Sequence, residues 1–239
     1  MKLFEWKAPG PCRVAFSTRL GGVSEGPYAS LNLGAKTDDD YDRVSENRSR
    51  LCAETGADAT TAAMGHQVHG PTVKEARPKG ILAPSDVERC DGLWSDRKGQ
   101  AMLLVTADCA PVALCRSDGK PGLALLHVGW KGLLAGIVAS GASALGSGGL
   151  AAAIGPAIGP CCYEVGEEVA AAYRERFGTD VVRGRNLNLP LAVARALDEA
   201  GIGSVEHTDI CTACHPELFF SHPRDNGITG RQGVIGYVV

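Results

Sequence analysis

A chain of 239 residues can bury a core as one large domain or two small ones, and 44% hydrophobic content makes disorder a poor description. A net charge of -3 with no basic run excludes general attraction to nucleic acid or to an anionic membrane. Aromatics at 5% beside 31 glycines point to tight turns and close backbone approaches, not to a core of large rings.

Residues 1–10 carry Lys2, Glu5 and Lys7 and no apolar run, so they do not read as a signal peptide. No stretch reaches membrane-spanning length. The expectation is a cytoplasmic protein whose nine cysteines, an odd count, stay as thiols. Residues 13–17 read as a short strand. Residues 40–54 read as a helix, with Val44 and Leu51 one heptad apart and Gly56 just past the end. Three short apolar runs, 102–106, 111–115 and 123–127, read as buried strands. Residues 132–145 predict one helix, and the glycine-rich stretch 141–149 a loop within one domain covering residues 1–239. Helices follow over 165–177 and 189–200, the latter with Asn188 as N-cap and Gly201 as stop. Strands over 205–210 and 233–239 complete the chain. Strands, then helices, then strands predict a mixed α/β layered domain. The central strands are too closely spaced for the crossover helices of a doubly wound sheet.

The sharpest local signal is the pair TADCAP (106–111) and LLHVGW (125–130), separated by a segment whose Asp118-Gly119 is a hairpin turn signal. Folding about that turn sets residues whose numbers sum to about 236 or 237 opposite each other. Cys109 and His127 then face across the open end of the hairpin, roughly 5 Å apart between Cβ atoms. That suits two ligands of one metal or a thiolate–imidazole pair. His66 and His69 lie in the turn-rich GHQVHG. One cysteine and two histidines leave a fourth position open, the layout of a catalytic zinc. The plain alternative is a core cysteine and a satisfied strand-end histidine.

Other patterns lead less far. Cys211-Thr-Ala-Cys214-His215 matches a c-type haem attachment pattern, which requires export. Cys211 and Cys214 would supply half a structural zinc site, but no second C-x-x-C completes it. Cys161 and Cys162 are too close for an unstrained disulfide and read as small packing residues at a turn. No Walker motif and no strand-linked G-x-G-x-x-G suggests a nucleotide cofactor. His, Cys and His are also blue-copper ligand types, but six histidines are too few for a multicopper oxidase.

Together these phrases resemble the laccase-domain family, whose members are variously called polyphenol oxidase, purine nucleoside phosphorylase or peptidoglycan editing factor. The matching phrases run nearly end to end: FSTRLGGVSEGPYASLNLG (16–34), Asn47-Arg48, HQVHG (66–70), DGLWSD (91–96), TADCAPVAL and HVGWKG. They continue through AIGPAIGPCCYEV (153–165), DICT (209–212) and LFFSHPRDNGITGRQ (218–232). The resemblance implies an α/β/β/α sandwich with mixed sheets and a zinc, with copper as the alternative metal, held by His69, Cys109 and His127. It selects His69 over His66. It implies phosphorolysis of adenosine, inosine and methylthioadenosine, and deamination of adenosine, so the expected partners are purine nucleosides and phosphate. The oligomeric state stays open. Two departures matter: Lys131 stands where the family usually has Arg, and His222-Pro223-Arg224-Asp225 where it usually has Arg-Arg-Asp. Lysine keeps the charge without the planar fork.

For deamination, zinc lowers the pKa of its bound water toward 7, and the hydroxide attacks the purine carbon bearing the amine. Asp108 is the nearest carboxylate to carry a proton to ammonia, with a turn-forming Asx role as its alternative. Phosphorolysis needs an anion site, for which Arg19, Arg48, Lys131 and Arg231 are the candidates. The rival is a thiol hydrolase of a cell-wall precursor, with Cys109 as nucleophile and His127 as base. A binding module with a structural metal is the non-catalytic alternative.

Overall fold

The structure, a computed structural model, describes residues 1–83, 87–146 and 148–239. Twelve strands are seen among these residues: β1 (Leu3–Trp6), β2 (Cys12–Ser17), β3 (Val73–Glu75), β4 (Gly92–Ser95), β5 (Met102–Thr106), β6 (Ala110–Arg116), β7 (Leu123–Val128), β8 (Leu150–Ile154), β9 (Val182–Arg183), β10 (Asn186–Leu187), β11 (Ser204–His207) and β12 (Gln232–Val238). The helices are α1 (Tyr41–Thr55), α2 (Trp130–Leu134), α3 (Ile137–Leu145), α4 (Glu167–Phe177) and α5 (Leu189–Glu199). One sheet has the order β1-β2-β12-β5, and the larger one β11-β8-β6-β7-β4-β3. The larger sheet is mixed, with β11 parallel to β8 and β3 parallel to β4.

Side-chain alternation sorts the apolar residues into layers. Val112, Leu114, Leu126 and Val128 face the helices α2 to α5 and pack on Leu133, Val138, Tyr173 and Val193. The alternate residues Ala113, Cys115, Leu123 and Leu125 meet Val14, Phe16, Leu104 and Val234 of the smaller sheet. The outer face of that sheet, Ala15, Leu103 and Ile235, packs on Leu51 and Cys52 of α1. The result is the α/β/β/α order of layers. Among the described residues, no helix is long and apolar enough to cross a membrane.

Local signals explain several boundaries. The Asp40 side chain accepts from the Asp42 amide to cap α1, and Gly56 ends it in the left-handed region. Asn188 accepts from the Leu191 amide to cap α5, with Pro190 in its first turn. Two expectations are corrected. The single helix over 132–145 is two, because Gly136 adopts φ 90° between them. The loop over 141–149 begins later, since residues 141–145 belong to α3; Ser147 lies outside the described residues. The three central apolar runs do form strands, and they divide between the two sheets. β5 joins the smaller sheet, while β6 and β7 pair in the larger.

Candidate metal centre

The chain passes from one sheet to the other between Thr106 and Ala110, and only residues 107–109 make the crossing. Asp108 takes φ 83° in that link, so Cys109 stands at the mouth of β6. The β6–β7 register pairs Ala110 with Val128 and Pro111 with His127, a sum of 238 in place of the expected 236 or 237. His127 is therefore diagonal to Cys109, not opposite it. The diagonal still brings them together: ligand atoms of His69, Cys109 and His127 all lie within 4.8 Å of one another. The rings of His69 and His127 meet edge to face, with centroids 4.9 Å apart.

His69 reaches this place through a tightly specified turn. The Gln67 amide pairs with the β5 edge in both senses, donating to the Val105 carbonyl at 2.7 Å and accepting from the Val105 amide at 3.0 Å. The fully buried Asp91 carboxylate accepts from the backbone amides of Val68, His69 and Gly70 at 2.8–3.0 Å. Those three bonds hold His69 at φ 61°, an unusual conformation for a non-glycine residue. The same carboxylate lies 2.8 Å from His127 Nδ1, which leaves Nε2 as the ring nitrogen for a ligand. Asp91 thus orients both histidines, as the outer carboxylates of metal sites do. Sequence reasoning gave Asp91 no role, because only its tertiary meeting with residues 68–70 and 127 reveals one.

Electrostatics follow from these contacts. Burial pushes the Cys109 thiol up, but the charge of His127 and hydrogen bonds from both histidines outweigh it and bring the thiol to about 6. Burial alone would lower His127; the Cys109 and Asp91 charges raise it to about 9. Asp91 is held below the usual carboxylate range, its desolvation overcome by the bonds it accepts. Burial raises the Asp108 carboxyl, although Thr212 Oγ1 donates to it at 2.6 Å and the His222 amide at 2.5 Å. Asp108 therefore ties two distant loops together, which the turn-forming reading anticipates only in part.

The donor set fits a soft or borderline divalent ion: one thiolate and two imidazoles, one of them fixed in its tautomer. Gly129 supplies the room. A Cβ there would stand 3.0 Å from both Cys109 Sγ and His69 Cδ2. Exposure increases from buried His127 through Cys109 to exposed His69, so the group opens outward.

All three residues line a cavity of about 980 Å³ shared with Asp108, Arg48 and Arg231, at the upper end of small-molecule sites. The four anion-site candidates divide. Arg48 donates to the carbonyls of Leu33 and Ile81 at 3.0 and 2.9 Å, and Arg231 to those of Thr229 and Gly230, both at 2.8 Å. Arg19 and Lys131 are not among the lining residues. Arg19 donates to the Ala29 and Pro216 carbonyls and stacks on Phe220, while exposed Lys131 lies over the Trp130 ring. Lys36, which the sequence reading did not single out, lines the cavity beside His66. His222 and Pro223 also line it, so the departure from the Arg-Arg-Asp pattern falls on the cavity wall.

The layered fold and the mixed imidazole–thiolate group define the class, and comparison supplies the family. The family model described as multi-copper polyphenol oxidoreductase laccase matches residues 13–238, and the chain belongs to this family. A purine nucleoside phosphorylase of Pseudomonas aeruginosa is 38% identical, with 95% of this chain and 93% of the relative covered. The purine nucleoside phosphorylase YfiH of Escherichia coli is 34% identical, over 95% and 94% of the two chains. Among solved structures, YlmD from Geobacillus stearothermophilus superposes with a TM-score of 0.88 at 31% identity, covering 95% of this chain and 92% of that one.

Proposed function

We propose that the chain is a metal-dependent purine nucleoside enzyme that phosphorolyses adenosine, inosine and methylthioadenosine and deaminates adenosine. The observation that carries the reading is the three-ligand group of His69, Cys109 and His127, opening through its exposed histidine onto a cavity of substrate size. The relatives named purine nucleoside phosphorylase support the substrate class. Zinc is the metal proposed, with copper as the alternative; in this group it would supply a Lewis acid and an activated water. The chain's own residues do the rest. Asp91 holds the His127 tautomer. Asp108, its carboxyl raised by burial, is the proton carrier toward departing ammonia, and must release Thr212 or the His222 amide to act. Arg48 and Arg231 give the cavity wall positive charge for phosphate.

Product analysis with adenosine tests this. Adenine should form only with phosphate present, while inosine should form without it. No turnover of any purine nucleoside by zinc-loaded protein would defeat the reading. One observation favours a second: a Cys109 thiol near 6 beside His127 is also the pair of a thiol hydrolase. Inactivation by iodoacetamide with indifference to chelators would select it.

A further inference from the structure

Four of the eight cysteines left unused by the site form a cluster of their own. β8 and β11 run parallel, Ala151 beside Ser204 through Ile154 beside His207, so their C-terminal ends emerge at one edge. The pairing continues past the strands. The Ala157 amide donates to the Ile210 carbonyl at 3.2 Å, and the Thr212 amide to the Ala157 carbonyl at 3.1 Å. The loop after β8 then folds back at residues 159–163, where the Cys162 and Tyr163 amides both donate to the Gly159 carbonyl. That turn carries Cys161-Cys162, and the loop after β11 carries Cys211 and Cys214. No second C-x-x-C was needed, because a vicinal pair from a neighbouring loop completes the set.

The four Sγ atoms lie within 4.8 Å of one another, with Cys214 at 3.4 Å from both Cys161 and Cys162. A tetrahedral zinc with bonds of about 2.3 Å sets its sulfurs roughly 3.8 Å apart. The Gly159 amide donates to Cys211 Sγ at 3.2 Å, the kind of bond that supports a thiolate. The close spacing is shared by all four sulfurs and does not resolve into two separate pairs. We infer that Cys161, Cys162, Cys211 and Cys214 hold a structural zinc ion, a second metal site distinct from His69, Cys109 and His127. Four protein ligands close the coordination shell, and binding releases the thiol protons to solvent. The ion would clasp the two loops that grip Asp108, through the Ile158 amide on its carbonyl and the Thr212 hydroxyl on its carboxylate. The clasp therefore stiffens one wall of the cavity without facing substrate.

Metal analysis of the chain purified from zinc-supplemented cells, without chelators, tests the inference independently of any activity. Two zinc ions per chain are expected in the wild type. One is expected in Cys161→Ser/Cys214→Ser and one in Cys109→Ala/His127→Ala, each pair of changes removing a different ion. Should the first variant fail to fold, cobalt substitution of Cys109→Ala/His127→Ala reads the remaining site directly. Its thiolate-to-metal charge-transfer band should report four sulfurs. Zinc unchanged by Cys161→Ser/Cys214→Ser would overturn the proposal. So would recovery of the four cysteines as disulfides in freshly purified wild type, or iron in place of zinc with visible sulfide-to-iron absorbance.

Discussion

Two ligand clusters stand at the ends of β6 and β8, and they differ in every respect that separates reactivity from support. The His69–Cys109–His127 group mixes nitrogen and sulfur, offers three candidate ligands among the described residues, is oriented by Asp91 and faces a large cavity. The four-cysteine group is all sulfur and has four ligands, and none of its members lines that cavity. In the first, a charged side chain behind the group holds the His69 backbone and the His127 ring; in the second, backbone pairing between parallel strands sets position alone. Open coordination with an orienting carboxylate invites substrate, whereas a closed sulfur shell excludes it.

The largest effect that tests this contrast is loss of a ligand. His127→Ala should weaken metal binding at the mixed site by at least about 100-fold, beyond the 10–100-fold that loss of an outer partner costs. Titration with a competing chelator checks it. The same variant carries a pH prediction in the metal-free protein. The Cys109 thiol is depressed to about 6 and His127 raised to about 9, so the thiolate–imidazolium pair exists between these values. The cysteine's contribution to stability is full above its unfolded value and fades as pH falls through about 6. The histidine's is full below its unfolded value and fades as pH rises through about 9. Thiolate absorbance should titrate near 6 in the wild type and above that in His127→Ala, where only His69 is left to oppose burial. A midpoint unmoved by the substitution would show that the histidine does not set the thiol.

Asp91→Asn comes next, with about a 10- to 100-fold loss of metal affinity. The amide keeps the shape but loses the charge that favours the His127 proton, and one of its polar atoms cannot accept from the 68–70 amides. Metal affinity within twofold of wild type would reduce Asp91 to a turn residue.

Much of this architecture is legible in the sequence, and the failures have physical causes. The caps at Asp40 and Asn188 and the glycine stop at Gly56 are local, so helix ends follow from them. Asp118-Gly119 rightly signals a turn between β6 and β7, but a two-residue turn was assumed where residues 117–122 form the connection, which shifts the register. The destination of β5 is not local at all: nothing in its sequence says that it joins β12 while β6 joins β7 and β8. Asp91 and the cysteine cluster are hidden for the same reason. Their partners lie 21–36 and about 50 residues away, at distances that only the sheet order closes.

A smaller effect isolates the space at the mixed site. Gly129 has φ -88°, which alanine adopts without strain, so the cost of Gly129→Ala is steric alone. The new methyl group would press Cys109 Sγ and His69 Cδ2 from 3.0 Å, requiring a shift of a few tenths of an ångström. Overpacking at its low end costs roughly 1 kcal/mol, or about fivefold in metal affinity. Thermal unfolding of the metal-free protein should hardly move, whereas calorimetric metal binding should weaken. An equal loss in both would mean that the alanine disturbs the fold and not the ligand geometry.

The smallest expected effect is the one that decides which histidine belongs to the site. His66 and His69 share one turn and both line the cavity, yet only His69 has its backbone amide fixed by Asp91 and its ring against His127. His66 is bridged by its backbone to Glu88 and Cys90, and its Nε2 contacts Lys36. His66→Ala should therefore keep the metal, with affinity within about twofold, because no ligand and no orienting bond is lost. It should act instead on substrate affinity, raising KM more than it lowers kcat, since Lys36 loses its neighbour on the cavity wall. His69→Ala should do the reverse, losing the metal. If His66→Ala stripped the metal and His69→Ala retained it, the ligand set would be wrong, and the strained turn at φ 61° would be serving something other than coordination.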